Sequence, residues 1–473
     1  MSGGRPPGLL EAAALLRSRE ISAVELLAQC QAAIESRNGG PPSFDGSPRA
    51  VNAWAALYPE LAARHARAAD ERLARDGDAA PLVCGIPIGL KDLYAVKGLP
   101  LTASSRILEG NVADADCEVW SRLDAQGMVL IGHAHTHEFA AGGTTDQVGN
   151  PHDLTRSAGG SSGGSGAALA AGMVPVALGT DTAGSLRIPA ALCGISTIKP
   201  THGRVPIDGV IPLAASLDHA GPMARSVGDC SALLAAMALG GGQRTPLMPP
   251  PQPLGALPTS ARAGAKPLAG VRVALTERPQ RAQIEPDIAD GYESARAALE
   301  RLGAETIEIA APAVGAWAEF TVILLSEAAA YHARHAERSH LYRTSIREFV
   351  EAGASFSGST AYIKAQQTRA ATSAAWEDWF AEHDLDAVLE PTVPTTAQPR
   401  GEGYDSGRLG GESDPLIALT ATWNATGFPV VALPAGAGSR SGMPVGVSLI
   451  APRGREAELI QVAIDLQEHE LGA

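Results

Sequence analysis

Two glycine-rich segments that contain serines most constrain what this chain can form. Residues 159–166 read GGSSGGSG, and residues 179–185 read GTDTAGS. Small residues at such positions let consecutive backbone N–H groups turn toward one point, which makes an anion-binding nest beside a hydroxyl group. Lys91 lies upstream of both segments, in the run GIPIGLKD. Together Lys91, Ser161 and Ser185 can form a serine hydrolase that uses no histidine.

The chemistry of amide cleavage explains why these residue types belong together. An amide carbonyl is a poor electrophile, so its hydrolysis needs an activated nucleophile and hydrogen-bond donors aimed at the developing oxyanion. A lysine can act as the base only when it is neutral, and burial favours the neutral form. Lys91 follows an apolar run that contains Pro87 and Gly89, which predicts the end of a buried strand.

Other interpretations of these segments stay open on the residues alone. Glycine- and serine-rich segments are common in loops and linkers, and a Lys-Asp pair is common on protein surfaces. The 159–166 segment could also bind a phosphate, but no Gly-Lys-Ser/Thr follows it and the chain is acidic. The spacing therefore fits both catalysis and a purely structural loop.

The composition indicates a large folded chain that does not bind nucleic acid or membranes directly. The chain has 473 residues, of which 45% are apolar and 19% charged, so it can bury the core of one large domain or two fused ones. Its net charge of −14 argues against direct binding to nucleic acid or anionic membranes. We expect no secretory segment and no membrane helix, which needs roughly 20 apolar residues. Five widely spaced cysteines predict reduced thiols and a cytoplasmic protein.

Helical and strand-like segments alternate along the chain. Residues 22–25 form a capping-box pattern that opens a helix to Ile34. Further helices are predicted at 61–75, 167–171, 227–239 and 288–302. Apolar runs predict strands at 128–131, 174–178, 271–275, 387–389, 430–433 and 445–450. This alternation predicts an α/β fold with a largely buried sheet.

Two segments lack the periodicity of core elements. Residues 240–270 are rich in proline, glycine and alanine, which predicts a surface crossing between two halves of the chain. Residues 399–413 are polar and glycine-rich, which predicts a flexible loop. That loop could be a lid over a site or a tolerated insertion.

Residues 158–201 closely resemble the signature sequence of the amidase signature hydrolases. The likeness lies in AGGSSGGS at 158–165, in GTDTAGSLRIPA at 179–190 and in IKPT at 198–201. Further motifs of the family occur in the same order at residues 85–92, 138–140, 150–151, 221–225 and 424–429. The resemblance covers nearly the whole chain. It implies a single amidase domain, residues 1–473, whose large mixed and twisted β-sheet core is flanked by α-helices, with 158–201 as the signature core.

The resemblance assigns roles to the three residues singled out above. It implies that Ser185 is the nucleophile, that Ser161 bridges it to Lys91, and that Lys91 is the general base. Ser161 would follow a cis peptide bond after Gly160. Attack by Ser185 would give an acyl-enzyme that water then hydrolyses. The resemblance implies no cofactor.

The resemblance also implies an oxyanion hole. Its donors would be the backbone amides of Thr182, Ala183 and Gly184, together with that of Ser185. The commoner sequence of the family has glycine where this chain has Ala183, and a methyl group fits there if φ stays negative. A similar Thr-Ala-Gly-Ser occurs in relatives that hydrolyse carbamoyl-type substrates, so the change is expected to alter pocket shape more than catalysis.

Three further residues match positions that support the catalytic serines. Ser162 follows the bridging serine, and Arg187 lies close in sequence to a partner, Asp181. An alternative role for Arg187 is to bind a substrate carboxylate. The nearness of Asp181 disfavours that alternative.

Two weaker patterns have both a functional and a structural interpretation. On a strand, His133, His135 and His137 would point to one side, as zinc ligands could, although the resemblance favours a strand that leads to the pocket. The residues Trp317, Phe320, Leu324 and Leu325 fall on one helical face and predict either core packing or a wall of the substrate pocket.

The sequence thus predicts an amidase acting on small amides or carbamates. Aryl amides, urethanes and esters remain open, because the core motif determines the reaction and peripheral loops determine the substrate. We expect a monomer or homodimer with a small-molecule substrate. The alternative is the amidase-like subunit of a glutamine-dependent tRNA amidotransferase. Residues 345–350 lack the paired arginines expected for holding the glutamine carboxylate. A non-catalytic binding protein is disfavoured, since all three reactive positions are filled.

Overall fold

The centre of the fold is one large mixed β-sheet. The computed structural model describes residues 4–238, 254–313, 317–356, 359–401 and 415–472. Within them, eleven strands pair in the order β1-β3-β2-β6-β8-β7-β12-β13-β11-β9-β10, while β4 and β5 pair separately. The strands are β1 (Trp54–Leu57), β2 (Pro87–Lys91), β3 (Val129–Ala134), β4 (Gly149–Asn150), β5 (Asp153–Ser157), β6 (Val176–Asp181), β7 (Ser196–Lys199), β8 (His219–Ala224), β9 (Arg272–Leu275), β10 (Glu305–Glu308), β11 (Ala387–Pro391), β12 (Val430–Ala437) and β13 (Pro444–Ile450).

Helices flank this sheet. They are α1 (Leu9–Ser18), α2 (Ala23–Arg37), α3 (Pro59–Asp76), α4 (Glu118–Ala125), α5 (Gly163–Ala170), α6 (Arg187–Cys193), α7 (Val227–Met237), α8 (Arg278–Arg281), α9 (Pro286–Arg301), α10 (Trp317–His332), α11 (Thr344–Ala354), α12 (Ser359–Glu382), α13 (Ala421–Ala425) and α14 (Glu456–Leu466). The predicted capping box opens α2, where Ser22 Oγ accepts from Glu25 N at 3.1 Å and Glu25 Oε2 accepts from Ser22 N at 2.8 Å. The predicted α/β class with helices around a mixed sheet is confirmed.

All six predicted strands are present, with boundaries shifted by a few residues. Several strands lack a sequence signal, and β8 is the clearest case, because its sequence HAGPMA contains glycine and proline and no β-branched residue. This strand forms because it lies between β6 and β7 with every residue buried. Burial on both faces therefore outweighs a poor local preference for strand.

The glycines of the 159–166 segment are packed tightly against neighbouring parts of the chain. The segment leads into α5, which begins four residues before the predicted helix and is buried along residues 163–169. A Cβ atom on Gly164 would lie 2.5 Å from the backbone oxygen of Ala53 and from the backbone nitrogen of His135. These glycines therefore serve close packing between backbones.

Parts of the two unusual segments can be placed. Residues 254–270 are mostly exposed, and Arg262 Nε donates to Asp465 Oδ2 of α14 at 2.7 Å. Of the predicted 399–413 loop, residues 402–413 lie outside the described residues, so the division of the chain at these segments stays a prediction. All five cysteines are free and buried. Among the described helices, none has the length and apolarity to cross a membrane.

Replacing Gly164 by alanine should destabilise the fold, because its new methyl group would meet backbone atoms that cannot rotate away. We expect the free energy of unfolding to fall by about 1–3 kcal/mol in urea unfolding. Gly255→Ala is the matched control, since nothing lies within 4 Å of its added Cβ. That control should stay within about 0.5 kcal/mol of the parent protein. Equal losses in both variants would contradict the packing argument.

Candidate active site

Two neighbouring parallel strands bring the predicted base to the signature core. Strands β2 and β6 run parallel, with Ile88 opposite Val176 and Gly89 opposite Ala177. Their carboxyl ends therefore meet at the same edge of the sheet, where Lys91 ends β2 and Asp181 ends β6. Parallel pairing thus joins residues that lie far apart in the sequence.

Lys91 is enclosed by three hydroxyl groups. Its Nζ lies 2.7 Å from Ser161 Oγ, 2.9 Å from Ser162 Oγ and 2.8 Å from Thr180 Oγ1. The side chain is fully buried. Burial lowers the pKa of Lys91 to about 7, against the opposing influence of the charges on Asp181 and Asp218. A substantial fraction of this lysine is therefore neutral near pH 7.

The hydroxyl of Ser162 orients the lysine amine. Ser162 Oγ donates to the carbonyl of Thr180 at 3.2 Å and accepts from the backbone N–H of Thr180 at 3.3 Å. Because its single proton is used there, Ser162 can only accept from Lys91. A neutral amine that donates to Ser162 and Thr180 then turns its lone pair toward Ser161.

Ser161 and Ser185 lie on two segments that are joined by their backbones. The Gly160–Ser161 peptide bond is cis. The N–H of Ser162 donates to the carbonyl of Ser185 at 3.3 Å. Ser185 is 6% exposed, whereas Lys91 and Ser161 have no accessible surface. Of the three residues, Ser185 is the one that a substrate can reach.

The loop before Ser185 has the features of an oxyanion hole. No hydrogen bond within the described protein occupies the backbone N–H groups of Ala183, Gly184 and Ser185. Gly184 has φ +142°, and an added Cβ would lie 2.5 Å from Thr420 Oγ1. The hydroxyl of Thr420 also donates to the carbonyl of Ala183. These contacts keep the loop close to α13 and require glycine at position 184.

The methyl group of Ala183 is accommodated as expected. Ala183 does not have a positive φ, so its backbone conformation suits an L-residue. Its methyl group packs against the buried apolar cluster of Ala214, Leu217, Phe320, Ile323, Ala365, Ala421 and Ala425. This apolar cluster gives the loop a water-poor neighbourhood on one side.

A buried ion pair supports the loop that precedes Ser185. Asp181 accepts from Arg187 Nε and Nη2, each at 2.9 Å, and both side chains are fully buried. Arg187 also donates to the carbonyl of Thr420 at 3.0 Å and to Asn424 Oδ1 at 2.6 Å. Burial by itself would raise the pKa of Asp181, but Arg187 holds it at about 2. Arg187 thus donates hydrogen bonds to three protein partners, which argues against the alternative that it binds a substrate carboxylate.

A small cavity lies beside the loop. Its lining includes Thr180, Thr182 and Asp218 together with apolar residues of the 207–213 segment. Asp218 Oδ1 accepts from Thr182 Oγ1 at 2.5 Å. Burial raises the pKa of Asp218 to about 7. The cavity therefore combines apolar walls with one buried carboxyl group.

The three alternating histidines do not converge on a metal site. His133 lies on β3 and contacts Tyr58 Oη at 2.8 Å, whereas His135 Nε2 contacts Ser43 O at 3.0 Å. Burial, and next the charge of Arg343, lowers the pKa of His137 to about 3. The strand ends at Ala134, so the alternation of a strand does not extend to His135 and His137. Among the described residues, no group of three or more His, Cys, Asp or Glu side chains could hold a metal ion.

The predicted helical face on α10 contributes to the cluster around Ala183. Phe320 is buried in that cluster, and Leu324 packs at its edge. Leu325 is partly exposed, and the side chain of Trp317 lies outside the described residues. A role of this face as a pocket wall stays a prediction.

Sequence reasoning missed several residues that shape this site. Thr180 lies within the quoted 179–185 segment, and its nearness to Lys91 follows from the pairing of β2 with β6. Asn424 opens the motif at 424–429, to which the sequence gives no role; its Nδ2 donates to Asp181 Oδ1 at 2.8 Å. Asp218 belongs to no motif, and only the fold brings it to Thr182.

Comparisons with known proteins agree with the geometry. The family model Amidase matches residues 45–460. The A subunit of glutamyl-tRNA(Gln) amidotransferase from Ralstonia nicotianae is 34% identical over 498 residues, which cover 96% of each chain. A crystal structure of an amidase matches with a TM-score of 0.81 at 30% identity, covering 98% of this chain and 100% of the other. A crystal structure of the amidotransferase A subunit from Thermotoga maritima matches with a TM-score of 0.67 at 30% identity, covering 82% of this chain and 84% of the other.

These matches extend over most of the chain. They confirm the family resemblance that the signature segment indicates. The family model covers the strands that carry Lys91 and Asp181 as well as the α5 segment. The chain belongs to the Amidase family.

Proposed function

We propose that this protein cleaves the C–N bond of an amide with Ser185 as the nucleophile, Ser161 as the proton bridge and Lys91 as the general base. The contact of 2.7 Å between Lys91 Nζ and Ser161 Oγ, inside a fully buried set of hydroxyl groups, carries the proposal. The greater accessibility of Ser185 supports its role as the residue that meets the substrate.

The proton moves along the three residues in the acylation step. Neutral Lys91 accepts the proton of Ser161 while Ser161 accepts that of Ser185, and Ser185 Oγ attacks the carbonyl carbon. The same path returns a proton to the leaving nitrogen as the C–N bond breaks. Water then adds to the acyl-enzyme with its proton taken by the same path, and Ser185 leaves with a proton as the free acid is released.

The negative oxygen that forms during attack needs donors that are already in place. The backbone amides of Ala183, Gly184 and Ser185 have no competing acceptor within the described protein, which supports this role. Thr182 is the fourth member of the loop, and its hydroxyl is held by Asp218. Ser162, Asp181 and Arg187 act by holding the amine and the loop in position.

The named relatives favour one of the two functions that the sequence leaves open. They are called glutamyl-tRNA(Gln) amidotransferase subunits, and the identity of 34% extends over almost the whole chain. These names support the amidotransferase function better than the stand-alone hydrolase. In that function, the chain would release ammonia from glutamine within a complex, and a partner protein would bind the tRNA.

The second candidate is a stand-alone hydrolase of small amides or carbamates. The amidase structure matches with the higher TM-score and over more of the chain than the amidotransferase structure. The surroundings of Ala183 are apolar. Arg369, a buried arginine of α12, donates to Ser216 O at 2.6 Å and to Ala425 O at 2.7 Å. Its guanidinium therefore donates to protein carbonyl groups, and it would have to leave them to hold the carboxylate of glutamine. For this function, we expect a monomer or homodimer in the cytoplasm.

The activity should depend on pH through the lysine. Only neutral Lys91 can accept a proton, so kcat/KM should rise with pH through an apparent pKa of about 7 and level off above it. Activity is therefore lost as pH falls through this value. Lys91→Arg should be inactive up to about pH 10, because an arginine keeps its charge. Rates measured from acidic to alkaline pH test the prediction, and a profile that is flat or falling through neutrality would count against a lysine base.

Ser185→Ala should abolish turnover, with a loss of at least ~10³-fold in kcat. The substrate panel is an anilide, an aryl carbamate and an ester of one chromogenic aryl group, with free glutamine assayed for ammonia. Ser441→Ala is a suitable control, because Ser441 lies outside the proposed site, in a turn where its backbone N–H donates to Asp287. Wild-type rates retained in Ser185→Ala would refute the proposed nucleophile.

The same panel separates the two candidate functions. Turnover of an anilide or a carbamate by the isolated chain would establish the stand-alone hydrolase. Ammonia release from glutamine alone, or activity that begins only when a copurified partner is added, would establish the amidotransferase function. In both cases, the Ser185→Ala variant must lose the activity.

A further inference from the structure

A threonine outside the predicted site is hydrogen-bonded to the carbonyl group of Ser161. The hydroxyl of Thr145 donates a hydrogen bond to the carbonyl of Ser161 at 3.2 Å. The backbone N–H of His137 donates to the same carbonyl at 3.0 Å. Thr145 Oγ1 also accepts from the N–H of Gly163 at 3.3 Å. One buried hydroxyl therefore ties Ser161 to the first residue of α5.

The packing around this hydroxyl leaves little space for movement. Thr145 has no accessible surface. A Cβ on Gly163 would lie 2.5 Å from Thr145 Oγ1, and a Cβ on Gly160 would overlap the backbone of Thr144. The chain at 144–145 thus lies directly against the chain at 160–163, on both sides of Ser161.

Ser161 is the residue whose orientation matters most for the proton path. Its Oγ must stay near Lys91 Nζ, where it now lies at 2.7 Å, and must also receive the proton of the nucleophile. The two contacts to the carbonyl fix the peptide plane that follows Ser161, which limits the directions open to its Cα–Cβ bond. A displacement of about 1 Å in such a site can lower the rate about 100-fold.

We propose that Thr145 is a positioning residue for Ser161, and this inference rests on the proposed function. Thr145 does not take a proton and acts through the Ser161 carbonyl. Its hydroxyl meets both requirements at once, as donor to Ser161 and as acceptor from Gly163. A hydrophobic residue of the same shape could do neither.

Thr145→Val tests the proposal, because valine keeps the shape and removes the hydroxyl. We expect kcat to fall about 10–100-fold with KM unchanged, measured on the substrate that the wild-type protein turns over. Thr145→Ser keeps the hydroxyl and should restore most of kcat. If the valine variant does not fold, Thr145→Ala compared with Thr145→Ser decides the question. Full activity of the variants without the hydroxyl, or equal losses in the serine variant, would overturn the proposal.

The pH profile gives a readout that a merely structural role would not move. If Ser161 shifts away, the ammonium form of Lys91 loses one of its three hydroxyl acceptors, which disfavours the charged form. The rising limb of kcat/KM should therefore move to lower pH in Thr145→Val and stay in place in Thr145→Ser. An unshifted limb in the valine variant would contradict the proposed positioning.

A matched control separates loss of a buried hydrogen bond from loss of positioning. Thr197 is also fully buried, and its hydroxyl donates to the carbonyl of Pro222 at 2.7 Å. It lies on β7, which β6 and β8 separate from the strand of Lys91. Thr197→Val should lower thermal stability about as much as Thr145→Val does. Its kcat and the rising limb of its kcat/KM profile against pH should be unchanged. Ser185→Ala distinguishes failure of this inference from failure of the proposed function. If Ser185→Ala is inactive and Thr145→Val is fully active, only the inference about Thr145 fails, whereas an active Ser185→Ala overturns the proposed function itself.

Discussion

The structure around the site depends on one buried amine that receives no direct salt bridge within the described residues. Lys91 is held by three hydroxyl oxygens within 2.9 Å, so its charged form gains hydrogen bonds but no adjacent carboxylate. Loss of hydration dominates, and the pKa falls to about 7. The negative charges on Asp181 and Asp218 keep it from falling further. A lysine poised in this way can exchange a proton near neutral pH without any histidine.

Enclosing a lysine this completely requires backbones to approach closely on every side. The glycines at 160, 163 and 164 allow that approach, because a methyl group at each would meet Thr144, Thr145 or backbone atoms of neighbouring segments. The same closeness lets backbone and hydroxyl groups reach the Ser161 carbonyl. Glycine in this segment therefore contributes packing, and the hydrogen bonds of the site follow from it.

The buried charges next to the loop of residues 182–185 form an ion pair. The Asp181–Arg187 pair is fully buried and bonded further to Asn424 and to the carbonyl of Thr420. A buried charge that lost its partner would destabilise the protein by about 3–5 kcal/mol, so such a set is retained as a unit. It connects β6, α6 and α13, and through them the loop of residues 182–185.

The family, the fold class and the residue types of the site can be read from the chain before it folds, because local motifs and hydropathy carry them. The six apolar runs form strands, and the capping box opens α2. The signature segment supplies Ser161 and Ser185 as candidate catalytic groups, and the run at 85–92 supplies Lys91. Local preference does not predict β8, whose conformation comes from burial between two neighbours. Strand alternation does not extend over the three histidines, because β3 ends at Ala134 before two of them. Other features belong to the assembled sheet alone: Thr180 and Ser162 around Lys91, Asp218 against Thr182, and Thr145 against Ser161. Each of these contacts is made through strand pairing or close backbone packing, which leaves no periodic signal along the sequence.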